Sequence, residues 1–213
     1  MISYTEYDSL CLDITESQNI RMYWQLPNLN FNWKSTYRAK EKYDSLCKLI
    51  NDTNYYRKTS YIAFPSERNY AQNKIVSINV HSDQQFDSSH PAFSNLNDVV
   101  SFVSFSPLEF IKSNYKESFD WTNNVPIEIQ NEIELSTYYK SNVEFAKTNF
   151  PVLIYLNDFD PNKMILIGKG VNGSSIGYLH LYKKSTFNFP QKITIEIKLS
   201  DGRVMSNSII VKL

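Results

Sequence analysis

Apolar and polar positions alternate with a period of two along much of this chain, and a few stretches break that rhythm. Between Ser9 and Ile14, the residues Leu10, Leu12 and Ile14 alternate with Cys11 and Asp13, the spacing of a half-buried strand. A second strand is predicted from Asn19 to Leu26, closed by Pro27. NLNFNWKS then reads as a loop with two aromatic anchors, Phe31 and Trp33. From there Ala39, Tyr43, Leu46, Cys47 and Ile50 fall at helical intervals, which predicts an amphipathic helix over 36–51. Strands are expected again at Ser60–Phe64 and Lys74–Val80.

The segment HSDQQFDSSHPAFSNLN, residues 81–97, has almost no periodic apolar positions. It is expected to be exposed and irregular, or ordered only by a neighbour. It reads as a surface excursion of a single β-rich domain, 1–213, or as the link between an N-terminal part, 1–80, and a C-terminal sandwich, 98–213. DVVSFVSF follows as an apolar strand. Ser106-Pro107-Leu108-Glu109 then has the form of a capping box, with Ser as N-cap, Pro first and Glu third, and predicts a helix to about Glu117. Two readings compete after Pro126. Ile127, Ile129, Ile133 and Leu135 alternate as in a strand, whereas EIQNEI after a proline also starts a helix; the strand reading, 127–135, is preferred.

The last third is clearer. FPVLIYL, KMILIG, IGYLHLY, KITIEIKL and SNSIIVKL read as five strands separated by turn signals. In the fourth, Ile193, Ile195, Ile197 and Leu199 line one face and Thr194, Glu196 and Lys198 the other, the mark of an antiparallel sheet with one face on a core. Two registers compete for the last hairpin. A two-residue Asp201-Gly202 turn sets serines against the isoleucine face. A three-residue Ser200-Asp201-Gly202 loop, with Gly202 left-handed, sets Ile197 opposite Met205 and Ile193 opposite Ile209. Because a one-residue slip flips every side chain, burial selects the second. The whole reads as an all-β protein, an antiparallel β-sandwich or jelly roll with one or two short helices in its connections.

Composition narrows the function. Lys plus Arg equals Asp plus Glu, 22 of each, with no basic run, so the electrostatic footprint of a nucleic-acid binder is missing and no direct nucleic-acid partner is expected. No apolar run approaches the roughly 18 residues of a membrane span. The amino terminus, MISYTEYDSLCLDITESQ, has neither a basic n-region nor an apolar h-region, and a cytoplasmic location is the default expectation. YDSLC occurs twice, at 7–11 and 43–47, and carries both cysteines; one copy falls in a strand and the other in a helix, so it is not a structural repeat. Without CxxC spacing or nearby histidines the two cysteines are expected to be buried, inert thiols.

Candidate chemistry is sparse. Asp158, Asp160 and Asn162 match the opening of a calcium loop, but Lys163 and Lys169 stand where that loop needs Gly and Glu, so a polar turn is expected. His81, Asp83, Asp87 and His90 crowd together at no ligand spacing. GKGVNGSSIG, 168–177, lacks the GK[ST] ending of a phosphate loop and leads into a strand. No nucleophile elbow or general-base motif is visible, so no enzyme activity, cofactor or metal site is expected. The abundant aromatics suggest protein interfaces instead, and Phe31, Trp33 and Trp121, in loop-like segments, are the candidate interface residues.

The closing segment ITIEIKLSDGRVMSNSIIVKL, a penultimate strand, an Asp-Gly turn and a final strand, resembles the end of small viral jelly-roll proteins of the minor capsid or penton class. The resemblance covers about twenty residues and transfers no functional residue. It implies a structural protein of a virus or phage particle, assembled in a host cytoplasm from other protein subunits in a homo- or hetero-oligomer. The alternative expectation is a β-sandwich module of a bacterial surface system that binds carbohydrate or protein.

Overall fold

The computed structural model describes residues 2–5, 9–15, 19–25, 30–31, 41, 44–45, 47–51, 68–71, 73–114, 116–120, 123–124, 127, 150–164, 167, 175–187 and 189–212. Strands β1 (Ile2–Thr5), β2 (Ser9–Ile14), β3 (Ile20–Gln25), β4 (Asn30–Phe31), β5 (Arg68–Ala71) and β6 (Ile75–Ser82) precede the polar segment. Strands β7 (Val100–Ser106), β8 (Phe150–Tyr155), β9 (Ser175–Leu181), β10 (Gln191–Leu199) and β11 (Val204–Val211) follow it. Among the described residues they form two antiparallel sheets, ordered β2-β3-β9-β7-β8 and β11-β10-β6, and a small sheet β4-β1-β5 in which β1 runs parallel to β5. The protein is an all-β sandwich. Both antiparallel sheets take strands from either side of residues 81–97.

A single apolar cluster lies between the two antiparallel sheets. Ile78 and Val80 from β6 and Ile193, Ile195, Ile197 and Leu199 from β10 meet Leu10, Ile20, Met22, Phe102, Ile154 and Leu179 from the five-stranded sheet. Full burial of side chains of this size contributes roughly 1.5–3 kcal/mol each. The opposite face of the five-stranded sheet is also covered, since Val103, Phe105 and Tyr178 are buried there. That explains why β7 is buried at every position and reads as a continuous apolar run.

The terminal hairpin adopts the second register. Ile197 pairs with Met205 and Ile193 with Ile209; Met205 and Val211 are buried, while Ser206, Ser208 and Lys212 face solvent. Leu199 N–H donates to Arg203 O, Gly202 N–H donates to Leu199 O, and Gly202 has φ of +89°. These are the marks of a three-residue loop closed by a left-handed glycine. At the far edge of the sheet β11 meets β2, where Asn207 Nδ2 donates to Leu10 O at 2.9 Å.

Of the two expected helices, the one after β7 is shorter than its pattern and runs only from Leu108 to Lys112. Ser106 Oγ accepts from Leu108 N–H, as a cap would, but Glu109 reaches forward to Lys112 Nζ at 2.8 Å instead of back to the cap. Asn114, left-handed at φ of +60°, ends the turn well before Glu117. In the earlier helix, residues 41, 44–45 and 47–49 are helical and present buried Cys47 inward and exposed Leu49 outward. Ile127 is helical and exposed, so at that position the helix wins over the preferred strand. At the described positions of KMILIG no strand is present: Lys163 closes a 3-10 turn opened by Pro161, and Met164 and Ile167 are buried outside any strand. The strand expected at Ser60–Phe64 lies outside the described residues. Among those described, no helix is long and apolar enough to cross a membrane.

The polar segment departs most from expectation. It is irregular, but it is anchored by buried Phe86, His90 and Leu96. After Phe93 it doubles back along the open edge of β6. Phe93 N–H donates to Ser82 O and Leu96 N–H to Val80 O, and Asn95 bridges to His81. The Asn97 amide stands in for a strand backbone, accepting from Val80 N–H and donating to Ile78 O, both at 3.0 Å. A bare strand edge is a template for unwanted pairing, and this strap covers it.

Candidate functional site

The connections β6–β7 and β9–β10 meet at one end of the sandwich. Ser185 Oγ donates to Phe86 O at 2.8 Å and Thr186 N–H donates to the same carbonyl. Beneath them buried Ser82 Oγ donates to Gln191 Oε1 at 2.8 Å, joining the start of the strap to the start of β10.

On the first of these connections lies a buried histidine, His90. Asp87 sits at the head of a tight turn, where its Oδ1 accepts from the backbone N–H of Ser89 at 2.7 Å and of His90 at 2.9 Å. The same oxygen lies 2.7 Å from His90 Nδ1, and Asp98 Oδ1 lies 2.9 Å from His90 Nε2. The Phe86 ring meets the imidazole edge-on. Burial alone pushes the His90 pKa down, but the hydrogen bonds to Asp87 and Asp98 outweigh it and hold the pKa above its ordinary value. For Asp87, burial works upward, and the bonds from His90 and Ser89 outweigh it to hold the carboxyl below its usual range. An imidazolium between two carboxylates uses both ring nitrogens as donors, so the group has no free lone pair to act as a base.

Beside it lies an exposed aromatic corner. The rings of Tyr155, at the end of β8, and Tyr182, just after β9, meet edge to face, 5.6 Å apart. The Tyr182 hydroxyl donates to the Asp98 carbonyl. Its phenol is pushed above the ordinary pKa by burial and then by the charges of Asp98 and Asp158, so it stays protonated. Phe93 and Phe189, from the two connections, are 77% and 41% exposed. Phe93 has φ of +64°, a conformation that a bulky side chain rarely adopts, and the bond from its N–H to Ser82 O holds it there.

Of the residues named from sequence as interface candidates, Phe31 has its backbone in β4, opposite Tyr4, while Trp33 and Trp121 lie outside the described residues. The calcium-like stretch is a turn: Asp160 Oδ1 accepts from Asn162 N–H, and Asn162 Oδ1 accepts from Lys74 Nζ. The His81/Asp83/Asp87/His90 group does not converge, because His81 lies opposite Thr194 on the outer face of its sheet while His90 points inward. Among the described residues no three His, Cys, Asp or Glu side chains are arranged to hold a metal. Cys47 is fully buried, but Cys11 is only half-buried on β2, more accessible than expected; neither is in a disulfide. Residues 168–174 of the glycine-rich loop lie outside the description.

Ser101 and His180 are cross-strand neighbours, and His180 Nδ1 lies 2.7 Å from Asn19 Oδ1. These are the residue types of a nucleophile, a base and an orienting group. Ser101 is fully buried, however, and its hydroxyl has no hydrogen-bond partner, so this geometry presents no activated nucleophile to a substrate.

Sequence reasoning missed Tyr155, Tyr182, Phe93 and Phe189. The available signal was their position: each closes or interrupts a pattern, as Phe93 does in the mostly polar 81–97, where no strand face claims it. Comparison with protein-family models, with curated proteins and with solved structures gave no match.

Proposed function

We propose that this chain is a structural subunit that works through protein–protein interfaces, as a component of a virus or phage particle. The observation that carries the reading is the aromatic end of the sandwich. Phe93 is held outward on a tied-down turn, and Phe189, Tyr155 and Tyr182 are exposed on the neighbouring connections. Large rigid aromatics on fixed backbone lose little conformational freedom on binding and are the residue types that anchor interfaces. The zero net charge adds no long-range repulsion between copies. The closing hairpin, with its resemblance to viral jelly-roll proteins, and the antiparallel sandwich around it suit the same role.

A second reading rests on a separate observation. Tyr155 and Tyr182, with the exposed carboxylates of Asp98 and Asp158 nearby, also offer ring faces and acceptors of the kind that hold a sugar. In that case the chain is a carbohydrate-binding module. Electron microscopy of the concentrated protein, beside a glycan-binding panel, separates the two. Rings, shells or regular clusters with no glycan signal support the subunit reading. Dispersed single particles that bind a defined sugar, and lose it in Tyr155→Ala, would replace it with the second.

A further inference from the structure

We propose that the 83–98 strap is a protonation-locked cover on the edge of β6, with His90 as the lock. The proposal stands apart from the assembly reading, since it concerns how the fold closes its own edge.

The strap is fixed at two places. Along β6 it makes the bonds of Phe93, Leu96 and Asn97 to Ser82, Val80 and Ile78. At its turn it is held by His90, which ties Asp87, early in the strap, to Asp98, where the strap ends ahead of β7. Asn97 and Asp98 are adjacent, so the bond that secures Asp98 also sets the amide that mimics a strand for β6.

Ionised carboxylates only accept hydrogen bonds. Two such contacts, at 2.7 and 2.9 Å on the two nitrogens of one ring, therefore require both nitrogens to carry protons. When the ring loses one, a lone pair faces a carboxylate oxygen inside the fold, and one of the two ties becomes a repulsion. Asp87 is further held by backbone donors from Ser89 and His90, whereas the Asp98 side chain is 53% exposed. The Asp98 tie is the one that gives way, and it is the one beside Asn97. The charged or titratable groups recorded around this centre are Asp87 and Asp98 on the ring itself, then Tyr182 on the Asp98 carbonyl with Tyr155 and Asp158 beyond it. The Tyr182 hydroxyl is already donated to the Asp98 carbonyl, so it does not replace the lost proton.

The direction follows from linkage. His90 has its folded-state pKa raised, so its contribution is full below the unfolded value, about 6.5, and is lost as pH rises through the raised folded value. The strap is closed below about pH 6.5 and loosens as pH rises through the raised His90 value. Opening bares the backbone groups of Ile78, Val80 and Ser82 that the strap had covered.

Amide hydrogen exchange read residue by residue tests this, with rates corrected for intrinsic base catalysis. Val80, Phe93 and Leu96 report the strap, and the amides of β10 serve as the internal standard. As pH rises from about 6.5 through the His90 titration, followed by NMR on the ring, strap protection is expected to fall relative to β10, by at most about tenfold per pH unit. In His90→Gln, which offers a single donor nitrogen and no charge, protection should start low and lose its pH dependence. Strap protection that keeps a constant ratio to β10 while the ring titrates would overturn the proposal, as would a His90→Gln strap as protected as the wild type. If His90→Gln does not fold, Asp98→Asn serves instead: the lock requires its strap to be looser at neutral pH, and unchanged protection rejects the lock.

Discussion

Gly177 and Gly202 show how one substitution fails for two different reasons. A Cβ on Gly177 would stand 2.5 Å from the Val103 carbonyl oxygen and 2.6 Å from the Phe102 ring, inside a packed sheet. Gly177→Ala is therefore expected to cost about 1–3 kcal/mol by overpacking, measured by urea unfolding, and to cost less in a Phe102→Leu background. Gly202 has open space around it but sits at φ of +89°. Gly202→Ala is expected to cost about 1–2 kcal/mol from backbone strain alone, and Gly202→Asn less, since Asn tolerates the left-handed region. Equal costs for Ala and Asn at 202 would contradict the strain account. Only one of these two roles was legible in the sequence. The Asp-Gly turn announced Gly202, but nothing in IGYLHLY says that Phe102, some seventy-five positions away, lies over Gly177.

At the scale of elements, the hairpin and the strap mark the two limits of what pattern reveals. In β10 and β11 the alternation is strict and one face is buried, so register followed from which side chains a core accepts. Ile197→Ala is expected to cost about 2–5 kcal/mol, and Ile210→Ala, with its side chain 69% exposed, to stay within about 0.5 kcal/mol; similar losses at both would show the register wrong. The strap was not legible, because polar side chains do its work. Asn97 imitates a strand backbone and His90 bridges two acids, and neither has a periodic signature. At the described positions of KMILIG the reason is the opposite: a short apolar run only reports burial, and at Met164 and Ile167 buried positions after a 3-10 turn supply it. The strap also sets a pH window. The Asp87 pKa is lowered, so its contribution is present above the ordinary 3.8 and is lost as pH falls through the depressed value, while that of His90 is lost on the alkaline side. Urea midpoints for the wild type minus His90→Gln are expected to be greatest between those limbs. A difference that is flat with pH would mean that His90 is not charged in the fold.

For the whole molecule, the two antiparallel sheets close on each other, with β6 covered by the strap and β11 meeting β2. Among the described residues the large exposed aromatics Phe93, Phe189, Tyr155 and Tyr182 stand at one end, whereas the exposed aliphatic residues Leu49, Ile127, Val204 and Ile210 stand on other elements. That asymmetry underlies the subunit proposal. It emerges only when distant connections are brought together, and so the sequence pointed to Phe31, Trp33 and Trp121 instead. Light scattering coupled to size exclusion, over a dilution series of the wild type and of a Phe93→Ser/Phe189→Ser variant, tests the claim most directly. The expected result is a mass that rises with concentration to a fixed multiple of 24.9 kDa in the wild type, and a variant that folds normally but stays at 24.9 kDa. A wild type that stays at 24.9 kDa at every concentration, or a variant that assembles as the wild type does, would contradict it.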